Sequence, residues 1–178
     1  MSYPTKPAFI HYGSFDEEIR AHPCMNWMEQ YTLAADRKAW DTEPYSNWFT
    51  EDCALHKSTG EVVCGGDAAW KAIKEVYAPF SEHQHIPQFI AVWERENGWE
   101  MLGVATLYWS LPVPGEGVKV KDDNGKEWDG AGPAAFDFWY RKTNAGIRLE
   151  KEAIYVDSSV AVKEMVKRGM LKAEDIVK

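Results

Sequence analysis

Membrane-spanning length, basic charge and cysteine are all in short supply here, and each shortage closes off a class of function. No run of about 18 apolar residues occurs, so no helical membrane span is expected. The start, MSYPTKPAFIHYG, lacks the charged-then-apolar plan of a secretory leader, and a cytoplasmic protein is expected. The 20 Lys+Arg against 28 Asp+Glu leave a net charge of −8. That balance offers no surplus to release counter-ions from nucleic acid or to hold an anionic membrane. The nearest basic stretch, Lys119 to Lys126, is interrupted by Asp122 and Asp123. Cys24, Cys53 and Cys64 are odd in number and lack CxxC spacing, so buried free thiols are expected rather than a disulfide framework or zinc knuckle. No GxSxG, Walker A, GxGxxG, HExxH or EF-hand pattern occurs, and neither a cofactor nor a metal is expected.

Aromatics, in contrast, are plentiful: 9 Trp, 8 Tyr and 7 Phe among 178 residues. Aromatic rings with a polar tip suit a pocket wall as well as a core, so a cavity for a flat or greasy ligand enters the reading. No repeat or linker divides the chain, and one domain over 1–178 is expected.

The first half reads as helical. Ser14 to Glu17 has capping-box spacing, and His22-Pro23 opens a helix whose Trp27, Met28, Tyr31, Ala34, Ala35 and Ala39 recur at threes and fours to about Trp40. Pro44 suggests a short helix through Trp48, and Asp67 caps one carrying Trp70, Ile73, Val76 and Tyr77. The period then changes to two. His83–Glu94 and Trp99–Leu111 read as long antiparallel strands joined at Asn97-Gly98, with a bulge or edge position at Pro87. A small hairpin turns at Asp123-Asn124-Gly125. Ala134–Lys142 and Ile147–Val156 pair across Asn144-Ala145-Gly146, and a helix from Ser158 or Ser159 to Arg168 closes the chain. Helices followed by a meander of strands make an α+β plan, with helices covering one face of a curved, mainly antiparallel sheet.

Four groups could carry chemistry. Asp36 lies on or beside the apolar stripe of the long helix, as a general base, an orienter of an imidazole, or a solvated Asp at a helix end. His85 shares a strand face with His83, Pro87, Phe89, Ala91 and Trp93; it reads as a proton shuttle or as a hydrogen-bonded wall residue. His-x-His could also ligate a metal, but a third ligand at defined spacing is missing. His56 reads as structural or as a pocket residue. Asp137, in AAFDFWY, faces either solvent or the interior, and a register slip of one residue exchanges the two.

Tyr31-Thr-Leu-Ala-Ala-Asp36-Arg-Lys-Ala-Trp40, the acidic FTEDCALH and the strand with His85 together resemble the SnoaL-like branch of the NTF2-like superfamily. The character is that of scytalone dehydratase: Gln84-His85 is similar to its Gln-His strand start and Trp93-Glu94-Arg95 to its Trp-Glu-Lys. The resemblance implies a cone-shaped α+β barrel, with Asp36 as the aspartate that orients a histidine and His85 as one of two catalytic histidines. The second histidine would fall near Leu111 to Val113, where none stands. The family's serine and asparagine fall on or near Ala134 and Phe136, and its helix tyrosine on Ala35. The related polyketide cyclases place an acid–base aspartate on the later strand, nearest to Asp137.

The expectation is therefore a cofactor-independent lyase, isomerase or cyclase acting on a small hydrophobic or aromatic, polyketide-like metabolite, assembled as a homodimer or homotrimer. His85 is the expected base, Asp36 its partner and Asp137 a second acid. Tyr31, Trp40, His56, Phe89, Trp109, Phe136 and Tyr140 are the expected substrate-binding residues. Adjacent strand residues face opposite ways, so Phe136 and Asp137 conflict. The rivals are a non-catalytic ligand-binding or scaffold protein of the same fold, and a subunit resembling the small subunit of ring-hydroxylating dioxygenases.

Overall fold

The computed structural model describes residues 5–176. After a short strand β1 (Phe9–Tyr12), helix α1 (Glu17–Arg20) is capped by Asp16, whose carboxylate accepts the Ile19 N–H. Helix α2 (Pro23–Asp36) starts on Pro23, where the missing N–H is no loss. It buries Cys24, Met25, Met28, Tyr31, Thr32, Ala34 and Ala35. It stops at Asp36, short of the expected Trp40. Lys38 takes the left-handed conformation (φ 59°), and Trp40 falls in a separate turn of 3-10 helix, Ala39–Asp41. The short helix expected after Pro44 is another such turn, Tyr45–Asn47.

Strands β2 (Phe49–His56) and β3 (Val62–Cys64) precede α3 (Gly66–Tyr77). Gly65, not Asp67, occupies the cap of α3; Asp67 lies inside its first turn and pairs with Lys71. The long hairpin is β4 (Glu82–Arg95) and β5 (Gly98–Ser110). A two-stranded hairpin, β6 (Val120–Lys121) with β7 (Glu127–Trp128), turns at Gly125 (φ 82°). The last long pair is β8 (Gly130–Thr143) and β9 (Gly146–Val156), followed by α4 (Ser159–Lys167) and α5 (Ala173–Ile176).

Seven strands form one mixed sheet in the order β1-β4-β5-β8-β9-β2-β3, antiparallel except for β2 against β9. The sheet has two edges, β1 and β3, so it is not closed into the expected barrel. One face packs on α2 and α3, around a core that includes Met25, Phe49, Leu55, Ile73, Ile90, Met101 and Leu149. A bulge at Gln88, between the pairs Pro87–Ala105 and Phe89–Val104, shifts the facing of β4: His83, His85 and Pro87 point inward, and then Ile90 and Val92. Among the described residues, no helix is long and apolar enough to cross a membrane.

Candidate active site

Asp36 and His85, far apart in the chain, meet where the end of α2 crosses the start of β4. His85 Nδ1 lies 2.6 Å from Asp36 Oδ1, and the His85 backbone N–H donates to both carboxylate oxygens at 3.2 Å. Asp36 is the last residue of α2, so its carboxylate stands where the chain leaves the helix. Two side chains pin the crossing. His83 Nε2 donates to the Ala35 carbonyl at 3.1 Å, and Lys38 Nζ donates to the carbonyls of Phe80 (2.6 Å) and Ser81 (3.2 Å).

Tautomers follow from these partners. The Asp36 carboxylate takes the Nδ1 proton of His85, so Nε2 holds the lone pair and receives the Tyr77 hydroxyl at 2.9 Å. Burial pushes the Tyr77 phenol up, and the charges of Glu152 and Asp36 add to this, so it remains a donor. His83 is only 2% exposed; desolvation and the neighbouring His85 lower its pKa to about 4, and it stays neutral with Nδ1 unpartnered. Its ring lies 4.3 Å from that of Tyr77 in a stack that Trp40 extends. Ligand atoms of Asp36, His83 and His85 lie within 4.8 Å of one another, close enough to share a divalent ion. A metal there would displace the proton between Asp36 and His85.

His85 and Tyr77 open onto an apolar cavity of about 160 Å³ between the helices and the sheet. The hollow exists because β8 begins GAGPAA: Ala134 faces Ala105 of β5 and Gly132 faces Leu107, so two adjacent strands offer almost no side chain there. The larger walls are Tyr31, Leu107, Trp109, Phe136 and Phe138. Phe136 and Trp109 lie against glycines: a Cβ on Gly103 would come within 2.3 Å of the Phe136 ring, and one on Gly130 within 2.2 Å of the Trp109 ring.

Tyr31, Trp109 and Phe136 line the hollow, and the Asp36–His85 pair meets it through the imidazole. Five other candidates lie elsewhere. Asp137 is on the opposite sheet face, where it accepts from Lys151 Nζ (2.5 Å) and Trp139 Nε1 (3.1 Å), because alternation assigns the inside to Phe136 and Phe138. Phe89 is turned outward against Tyr12 by the bulge at Gln88. Trp40 backs the Tyr77–His83 stack without reaching the hollow. Tyr140 is sealed in the core below it, donating to Met28 Sδ at 3.2 Å. His56 ends β2 on the face opposite Leu55, paired with Ala153.

Two cavity groups were missed. Tyr77 was read only as part of a helix face. Glu152 is a carboxyl 3% exposed, bonded to the Tyr31 hydroxyl at 2.8 Å. Counting back by twos from Val156 through Ile154 reaches Glu152, and that alternation was the available signal.

No protein-family profile matches the sequence, and no curated protein matches it. Solved structures do. A Kribbella flavida protein superposes with a TM-score of 0.61 at 18% identity, over 80% of this chain and 93% of that one. A candidate scytalone dehydratase from Novosphingobium aromaticivorans gives 0.58 at 12% identity, over 79% and 85%. An NTF2-like protein with a cystatin-like fold from the same organism gives 0.55 at 17%, over 84% and 89%. The fold is NTF2-like. Identities this low carry architecture and no particular reaction, so what this NTF2-like chain does rests on its own site.

Proposed function

We propose that this protein is a cofactor-independent lyase, isomerase or cyclase that moves protons on a small hydrophobic or aromatic, polyketide-like molecule. The Asp36–His85–Tyr77 chain of hydrogen bonds at the end of an apolar hollow carries this reading. Asp36 holds the imidazole with Nδ1 protonated, leaving Nε2 as a base. Tyr77 occupies Nε2 at rest and turns its hydroxyl to the ligand when one enters. Proton abstraction next to a carbonyl needs such a base, a dry cavity and a fixed substrate pose, and all three are compatible with these residues. A purely ligand-binding protein would not need a carboxylate and a backbone bond to fix one imidazole. A homodimer or homotrimer in the cytoplasm remains part of the reading.

The test is a panel of aromatic cyclic ketones and β-hydroxyketones incubated in D₂O, with α-proton exchange and loss of water followed by NMR. His85→Asn should lose about 10²–10⁴-fold in rate while keeping the wild-type circular dichroism. Turnover equal to wild type would remove His85 from the mechanism.

A further inference from the structure

Glu152 is a second chemical centre in the same hollow. It reaches the cavity from β9, on the sheet side, whereas His85 reaches it beside the α2–β4 crossing. Tyr31 donates to Glu152 Oε2; among the described residues, the other carboxyl oxygen has no protein partner, yet it is not sealed off in the core. Among the described residues, no cation pairs with it. Lys151 is bonded to Asp137 on the outer face, and Glu150 faces Arg95 and Arg141. The titratable groups that sense Glu152 from the surrounding elements are Tyr31 on α2, Cys53 on β2, Tyr77 on α3 and Tyr140 on β8. All are neutral phenols or thiols, and burial pushes each one up. Burial likewise lifts the Glu152 carboxyl to about 8, against the smaller opposing effect of the Tyr31 hydrogen bond.

A carboxyl in that setting does little for the fold beyond accepting the Tyr31 hydroxyl. Among the described residues it joins no ion pair and caps no helix, and burying it costs more than burying an apolar residue of similar size. A proton donor facing a base across an apolar hollow has an evident use. Resting on the acid/base reading above, we propose that Glu152 is a catalytic acid that donates to the carbonyl oxygen of the substrate, with Tyr31 orienting it.

For a β-hydroxyketone the protons balance as follows. His85 Nε2 takes the α-proton, the C–H pair becomes the C=C bond of an enol, and the carbonyl oxygen takes the Glu152 proton, leaving a carboxylate. The enol then returns its proton to Glu152 and re-forms C=O as the β-hydroxyl departs. That hydroxyl leaves as water with the proton held on His85. One water is lost and both groups regain their resting states. Without a leaving group, return of the proton to a different carbon gives isomerisation.

The experiment uses the full chain with tetralone, an aromatic cyclic ketone, as probe. Infrared difference spectra at neutral pH should show the carbonyl band of a protonated carboxylic acid in wild type, absent in Glu152→Gln. The C=O stretch of bound tetralone should shift to lower frequency in wild type and return towards its free value in Glu152→Leu, which removes a buried polar group and should fold. In the exchange assay Glu152→Leu should lose roughly 10²–10³-fold in kcat, the usual cost of one oxyanion donor. Glu152→Gln, which still donates but cannot transfer a proton, should keep part of the carbonyl shift. An ionised Glu152 at neutral pH, an unchanged tetralone band in Glu152→Leu, or a wild-type rate in that variant would overturn the proposal. The two readings fail separately. Loss of exchange in His85→Asn with no effect of Glu152→Leu leaves the base and removes the acid. A carbonyl shift lost in Glu152→Leu, without exchange on any ketone, keeps the donor as a binding group and removes the catalytic role and the enzyme reading with it.

Discussion

Replacing Asp36 by Asn leaves the shape of the side chain almost intact but turns one accepting oxygen into a donor. The amide can still receive the His85 backbone N–H, yet it no longer requires the imidazole to carry its proton on Nδ1. Asp36→Asn should therefore lower kcat by about 10²-fold or more with little change in KM, since Asp36 positions His85 without lining the hollow. Asp137→Asn should leave both constants unchanged and cost at most about 1 kcal/mol through its weakened contact with Lys151, measured by urea unfolding. Glu152 gives a pH signature. Its folded-state pKa is raised from 4.5 to about 8, so the folded state holds the extra proton, and the stability this lends is present below about 4.5 and lost as pH rises through about 8. The melting temperature of wild type should fall across that window relative to Glu152→Gln, whose profile lacks this slope. A wild-type profile parallel to that of the variant would show the carboxyl already ionised.

At the level of elements, the β4–β5 hairpin shows what pattern reading captures. Both strands were legible from alternation and from Asn97-Gly98, but the connection is Glu96–Asn97 and Gly98 already belongs to β5, opposite Arg95. A Cβ on Gly98 would stand 1.7 Å from the Tyr140 carbonyl, so this glycine serves the close approach of β8 rather than the turn. Gly98→Ala should cost at least about 1–3 kcal/mol in chemical unfolding and disturb the register of β5 against β8. Other misses share one physical root. Strand alternation propagates only while the ladder is regular, and the bulge at Gln88 reverses the facing of Phe89 relative to His85 on the same strand. A second irregularity, between Trp139 and Tyr140, lies where β8 meets β9 and puts both Leu149 and Glu152 inside. The pairing of Asp36 with His85 was inferred from a family resemblance, because no local pattern records a contact between a helix end and a distant strand. Strand β1 was too short to give a period.

For the whole molecule, the hollow is a deficit of side-chain volume built into β5 and β8, so filling it should show as stability gained and binding lost. Ala105→Leu, opposite Ala134, should stabilise the chain by about 1 kcal/mol or more and abolish the ligand-induced rise in melting temperature. Tyr108 and Trp139 stand on the outer sheet face, where apolar rings would favour self-association. Both are already covered: Trp128 packs on Tyr108, while Arg95 and Lys151 lie over Trp139. Apolar side chains of the sheet that are exposed instead include Ile10, Tyr12, Leu102, Val104 and Tyr155. The crossing of α2 over β4 has a further consequence. Ala35, Asp36 and Lys38 fasten the end of α2 to the segment from Phe80 to His85, so the imidazole is held where the backbone is tied down. Asp157, Ser158 and the half-uncovered Val160 border the same space. Enlarging Val160 should then change which molecules are admitted while leaving the groups at the fastened end untouched, and a comparison of KM with kcat would separate the two.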